Sequence, residues 1–289
     1  MQVNYIQPRK ELRGVISRFW IGEVLSMGHN EQSFYRIIAS GNTGLIIQLF
    51  QNQSLLLNSA DHRVLPKAFI YGQKSDSPCL NHFTAEATLL GVDFHPTVFK
   101  KVFGVNATEL TNTLVDAVAL LPYSLIRQMQ DSESIHEAIS LIEHYLLGKV
   151  KESSTEAALD YAITQIRQTT YLVDTAVLAS KIGMSQRTFQ RHFKEQVGID
   201  AYTYSRIVRF QKALHSMQQG REISLTQLAY DLGYADQSHF GREFKLFVGE
   251  SPLGFIKHSK YLETSNTDIH TPFRIIEINL RSATTIYYE

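Results

Sequence analysis

The chain has 289 residues, too many for one small domain and enough for two at roughly 100 to 200 residues each. Apolar residues make up 44% and charged residues 19% with no long single-sign run, which excludes a disordered polyelectrolyte, and the single cysteine excludes an internal disulfide. Lys plus Arg and Asp plus Glu both number 28, so the overall charge gives no reason to expect a polyanionic partner.

Charge is better counted by segment. Residues 1–155 carry 13 basic and 14 acidic side chains, residues 156–262 carry 13 and 10, and residues 263–289 carry 2 and 4, so only the middle block is positive, at +3. The start MQVNYIQPRKEL lacks the basic lead and apolar core of a signal peptide, and no apolar run reaches bilayer length. A cytoplasmic protein without a membrane partner is expected.

In chain order, RFWIGEVL, SFYRIIAS, GLIIQLF, QSLLLN, KAFIYGQ and ATLLGVDF are short β-segments between Arg18 and Phe94, separated by Gly, Asn, Asp and Ser. Many short strands with turn chemistry between them predict a small barrel or sandwich. The period then changes. HPTVFKKVFGV, NATELTNTLVDAVALL and ESIHEAISLIEHYLLGK place apolar residues three and four apart, as at Ile135, Ile139, Ile142 and Leu146, and predict amphipathic helices. The face on Ser134 to Leu147 fits packing within its own domain or a dimer seam. Polar LGKVKESSTE, Leu147 to Glu156, is the expected linker.

From Glu156 to about Tyr261 the pattern is helical with glycine turns. A first helix to about Gln168 would bury Leu159, Ile163 and Ile166. One pattern then occurs twice: LASKIG leads through Phe189 and Phe193 to Gly198, and LAYDLG leads through Phe240 and Phe244 to Gly249, with one extra residue before the phenylalanine in the second copy. Each copy reads as a helix-turn-helix. Asp174 and Ser224 suit N-caps, Gly183 and Gly233 suit the turns, and Gly198 and Gly249 suit the helix ends.

Phe189, Phe193 and Val197 form one stripe of the second helix, while Arg187, Gln190, Arg191 and Lys194 form another. The second copy pairs Phe240, Phe244 and Val248 with an outward set of Ser238, Arg242 and Lys245, with Gln237 beside them. Arg and Gln have the donor geometry that pairs with guanine and adenine edges in the major groove. Between the copies, IDAYTYSRIVRFQKALHSMQQG predicts a helix with Tyr204, Ile207, Leu214 and Met217 inside. Over Asp200 to Gln218 it would run roughly 28 Å, close to the ~34 Å between successive major grooves on one DNA face.

These residues, about Asp174 to Phe255, resemble the AraC family of bacterial transcription regulators: LASKIGMSQRTFQRHFKEQVG, RFQKA, SLTQLAYDLGYADQSHFGREFK, then Gly249, Ser251 and Pro252 in the GxSP position. The resemblance implies that Arg187, Gln190 and Arg191, and Gln237, Ser238 and Arg242, match base-facing positions. It implies phosphate contacts at Ser185, Lys194 and Lys245. Gly241 departs from the small polar residue common there. FHPTVFKKVFGVNATELTN resembles the end of sensory domains of AraC-like regulators, which implies a cupin-like domain that binds a small molecule or dimerises.

The expected fold is therefore an N-terminal α+β domain over residues 1–150, a small β-barrel or cupin-like sheet followed by helices, and an all-α domain over residues 156–262 with two helix-turn-helix motifs. Residues 263–289, with Ile275, Ile276, Ile278 and Leu280, suggest an additional strand. The expected partners are double-stranded DNA and RNA polymerase, with a small-molecule effector and a homodimer as further ones. The alternative is a ligand-independent regulator whose first domain only dimerises. An enzyme is not expected: His62, His82 and His95 lack the HxH spacing of a metal-dependent cupin, Cys79 in SPCLNHF has His82 nearby but no third partner, and no cofactor motif occurs. A four-cysteine repair centre is excluded by one cysteine. Phe19, Trp20, Tyr35, Phe69 and Tyr71 could line a pocket, though core packing suits them better.

Overall fold

The computed structural model describes residues 2–24, 33–50, 54–150, 154–218, 224–257 and 285–286. The chain folds as an N-terminal sheet-rich domain followed by a helical domain. The strands are β1 (Gln2–Ile6), β2 (Ile16–Val24), β3 (Ser33–Ile37), β4 (Thr43–Gln48), β5 (Leu56–Asn58), β6 (Ala68–Tyr71), β7 (Cys79–Phe83), β8 (Ala87–Phe94), β9 (Leu114–Asp116) and β10 (Thr285–Ile286).

Of the expected barrel or sandwich, no closed barrel forms among the described residues. Among these residues the strands form two open sheets, one ordered β10-β1-β2-β8-β4-β6-β9 and one ordered β3-β7-β5. Period-2 alternation gives the large sheet two buried faces. On β2, Phe19 and Ile21 join Leu45, Ile47, Leu90 and Val92 in the core beneath the helices, whereas Trp20 and Val24 join Ile46, Phe69, Phe83 and Leu89 between the sheets. Phe19, Trp20, Phe69 and Tyr71 thus pack in or against core; the side chain of Tyr35 lies outside the described residues.

The indole of Trp20 crosses Gly91, where an added Cβ would lie 1.8 Å from a ring atom. Only glycine permits this approach. Beside it, Asp93 accepts hydrogen bonds from Arg18 Nε (2.8 Å), Trp20 Nε1 (3.2 Å) and the Tyr71 hydroxyl (2.8 Å), which compensates a buried carboxylate.

Helices α1 (Val98–Phe103), α2 (Tyr123–Gln130) and α3 (Ile135–Leu147) follow the strands. The helix expected over NATELTNTLVDAVALL is replaced by two short 3-10 turns, Ala107–Leu110 and Ala117–Ala119, flanking β9. Asn112 has φ +59, which no helix continues through, and β9 pairs with β6 through Ile70↔Val115. The apolar face of α3 packs inward, with Ile139, Ile142 and Leu146 in the N-terminal core, and is not left open as a dimer seam. Its Ser134 cap accepts from the Glu137 backbone N–H, and Glu143 accepts from Arg9 at 2.7 Å.

The helical domain contains α4 (Ser154–Gln168), α5 (Thr175–Lys181), α6 (Gln186–Val197), α7 (Ala201–Gln218), α8 (Leu225–Asp231) and α9 (Gln237–Val248), then a short helix over residues 252–257. Leu159, Ile163 and Ile166 of α4 are buried as their spacing predicts. Of the expected linker, residues 151–153 lie outside the described residues. So does most of 263–289, but Thr285 and Ile286 pair in parallel with Tyr5 and Ile6, adding an edge to the N-terminal sheet.

The two domains touch at several points. Ala39, fully buried, enters the helical core, and its carbonyl accepts from Gln211 Nε2 of α7. Thr111 Oγ1 donates to the carbonyl of Gly198 at 2.6 Å, and Lys100 lies 3.6 Å from Glu195 of α6.

Candidate nucleic-acid interface

In the first unit, Asp174 Oδ1 accepts from the backbone N–H groups of Ala176 (2.8 Å) and Val177 (3.3 Å), which starts α5. Gly183 turns the chain at φ +70, a conformation that costs a side chain dearly. Ser185 then caps α6 by accepting from the Thr188 N–H at 3.2 Å, and Gly198, at φ +97, ends it. Cap, turn and stop therefore fix both the start and the length of α6.

The second unit repeats this. Ser224 accepts from the Gln227 N–H, Gly233 turns at φ +71, Asp236 accepts from the His239 N–H, and Gly249 ends α9 at φ +90. The caps Ser185 and Asp236 set the alignment of the units. Gln186 bonds Thr175 (3.1 Å) where Gln237 bonds Thr226 (2.8 Å), so Gln237 matches Gln186 and Ser238 matches Arg187. In the same register Arg242 matches Arg191, Lys245 matches Lys194, and Gly241 stands opposite Gln190.

The stripes separate as their periodicity predicts. Phe189, Phe193, Val197, Phe240, Phe244 and Val248 are fully buried, together with Phe247, which the sequence pattern did not single out. Arg187, Gln190, Arg191 and Lys194 on α6, Ser185 at its cap, and Gln237, Ser238, Arg242 and Lys245 on α9 are all exposed. Neither helix is sealed in the interior. At Gly241 an added Cβ would meet nothing within 4 Å, so packing does not demand glycine there.

Both units rest on α7. Tyr204 stacks edge-on to Phe193 of α6, with centroids 5.7 Å apart, and Phe210 packs against Phe244 and Phe247 of α9 at 5.6 and 5.1 Å. Tyr204, Ile207, Leu214 and Met217 are buried as predicted, and both units share one hydrophobic core. A bond between α7 and α9 escaped sequence reading. Buried Glu243 accepts from Arg206 Nε (2.7 Å), Arg209 Nη2 (2.9 Å) and the Tyr234 hydroxyl (2.8 Å), while the Arg209 guanidinium lies 3.6 Å from the Tyr234 ring centroid. Burial opposes the charged carboxylate, but the Arg206 hydrogen bond, the Arg209 charge and the Tyr234 hydroxyl outweigh it and hold Glu243 below the usual carboxylate range. The spacing of Arg206 and Arg209 on one helix face and Glu243 on the inner side of α9 could have signalled this pair.

His82 Nδ1 lies 3.3 Å from Ser59 Oγ, His95 Nε2 lies 2.9 Å from the Arg13 carbonyl, and among the described residues no group of three His, Cys, Asp or Glu could hold a metal ion. Burial raises the Cys79 thiol above its ordinary value, despite its hydrogen bond to Asn81. Among the described residues no helix is long and apolar enough to cross a membrane.

A pair of capped, glycine-turned helical units with exposed basic-polar helices on one connector defines a double helix-turn-helix domain. Residues 178–258 match the family described as Helix-turn-helix domain, and residues 4–116 match a second family described as Domain of unknown function (DUF6597). The C-terminal domain is thus a helix-turn-helix domain of the AraC type. It is similar to the HTH-type transcriptional activator RhaS of Escherichia fergusonii, 28% identical over 102 residues, covering 35% of this chain and 36% of that protein. RhaS of Escherichia coli O157:H7 is 32% identical over 80 residues, 28% of each chain. The matches thus span about a third of the length of these relatives. Among solved structures, ToxT from Vibrio cholerae O395 aligns over 83% of this chain and 97% of its own, with 11% identity and a TM-score of 0.45.

Proposed function

We propose that the protein is a sequence-specific DNA-binding transcription regulator in which α6 and α9 enter successive major grooves. Arg187, Gln190 and Arg191, and Gln237, Ser238 and Arg242, read bases, while Ser185, Lys194 and Lys245 hold phosphates. The observation that carries this reading is the exposure of every one of these side chains on two helices whose opposite faces are buried in one core. As an 18-residue helix, α7 runs about 27 Å, which suits two readers one DNA turn apart within a single chain.

In this reading residues 1–150 form the sensory or dimerisation domain, 156–262 the DNA-binding domain and 263–289 an added segment. RNA polymerase is the further partner, and activation is the sense of regulation that the names of the RhaS relatives favour. The contacts of Ala39 and Thr111 with the helical domain support control through the N-terminal domain, by a small-molecule effector. An effector acts only by favouring one arrangement of the domains over another. Dimerisation without a ligand is the second reading, and the closed face of α3 removes one surface for it.

Footprinting of the tagged full chain on genomic DNA tests the proposal. Protection over two half-sites one helical turn apart is expected. Binding with no sequence preference at physiological salt would refute it.

A further inference from the structure

A cleft of about 770 Å³ lies between the domains, walled by β2 and the segment after β3 on one side and by α4 and α7 on the other. Its volume suits a small molecule. Among the described residues no Asp or Glu lines it, whereas Arg18, Arg167, Lys212 and His215 do. Arg18 is neutralised by Asp93, 2.8 Å away. Arg167 and Lys212 are not: Arg167 donates to the Tyr204 hydroxyl (2.9 Å) and to Asn42 Oδ1 (3.1 Å), Lys212 donates to the Thr169 carbonyl, and neither has an ion-pair partner among the described residues. Two half-buried cations facing one cavity without a counter-charge are costly, and an anion between them would offset that cost.

The remaining lining sets the class of anion. Seven of the fourteen described lining residues are neutral hydroxyl or amide side chains, against three with apolar or aromatic ones. Such a wall suits a hydroxylated ligand and would strand the tail of an aliphatic one.

We propose that this cleft binds a small polyhydroxylated anion, a sugar acid or a sugar phosphate, with Arg167 and Lys212 holding the oxyanion. The ligand bridges the N-terminal sheet to α7, the helix that carries both readers, and so favours the docked arrangement of the domains. This inference rests on the regulator reading for its consequence, but not for binding itself. Burial pushes the Lys212 ammonium below its ordinary value, consistent with a cation lacking a counter-charge.

Calorimetric titration of the full chain without DNA tests it, using gluconate and glucose 6-phosphate as probes, with neutral glucose and octanoate as controls. Gluconate or glucose 6-phosphate is expected to bind, the one identifying a carboxylate source and the other a phosphate source. Lys212→Gln should weaken that binding at least about tenfold, about 1.4 kcal/mol, and Lys212→Arg should restore most of it. Failure of both anions to bind overturns the site, as does equal binding by glucose, preference for octanoate, or unchanged affinity in Lys212→Gln. A chain that footprints DNA but ignores both anions loses only this site. One that binds an anion but shows no DNA preference loses only the regulator reading.

Discussion

Arg191 and Lys194 stand three residues apart on α6, both exposed, yet the proposed interface asks different things of them. A guanidinium reads a guanine edge bidentately, whereas an ammonium on a flexible stem supplies charge. Arg191→Ala should cost about 1 to 3 kcal/mol on the specific site and relax one base position, while Lys194→Ala should weaken all sequences alike and lower the salt slope by about one. Quantitative binding to a randomised operator library at several salt concentrations separates them, and an unchanged base preference removes Arg191 from the readers. Glu243 offers a test without DNA. Its folded pKa lies below the ordinary 4.5, so its contribution to stability is complete above that value and is lost as pH falls through the folded value. Glu243→Gln strands Arg206 and Arg209 and should cost about 3 kcal/mol near neutral pH. Urea unfolding across the acid range should show a shallower acid limb in the variant than in the parent chain. Equal acid sensitivity would mean that the carboxylate is not held by these partners.

At the scale of elements, the helical half was legible in the sequence because its signals are local. Caps, turn glycines and a phenylalanine stripe all fall within one helix-turn-helix unit, and the structure places Asp174, Gly183, Gly198, Ser224, Gly233 and Gly249 in the roles their chemistry suggests. The sheets depend on partners far along the chain, so their pairing is not written in any local stretch. In β7, Asn81 and His82 are polar yet buried, which hides the alternation, and the pairing of β9 with β6 leaves no local trace within its helix-like spacing. The candidate base readers were legible by residue type and spacing; the cleft was not, since its two walls meet only in the fold. Two substitutions on α9 probe the element itself. Phe240→Ala should destabilise the chain by about 3 to 5 kcal/mol through the cavity it leaves. Gly241→Ala, placed in open space, should stabilise it by about 0.5 to 1 kcal/mol through helix propensity. Thermal unfolding decides both. If Gly241→Ala also abolishes DNA binding while raising stability, the missing side chain serves close approach of the helix to DNA.

For the molecule as a whole, the N-terminal domain touches the tail ends of both readers as well as α4 and α7. An added Cβ at Gly198 would lie 2.9 Å from the Ala107 carbonyl oxygen, and one at Gly249 would lie 3.1 Å from Pro78. Gly198→Ala combines that collision with φ +97 and should destabilise the chain and loosen the domains, read as faster cleavage around residues 147–156 in limited proteolysis. Cleavage at the parent rate would show that the seat tolerates a methyl group.

Seating both rods at their tails makes each a lever. A 12-residue helix is about 18 Å long, so a pivot of about 5° at its glycine end sweeps the far tip through about 1.5 Å, half the length of a hydrogen bond. A small shift of the sheet-bearing body at those seats would be largest where Arg187 and Ser238 stand. Because both helices share one hydrophobic core, a displacement at either seat would reach the two tips together.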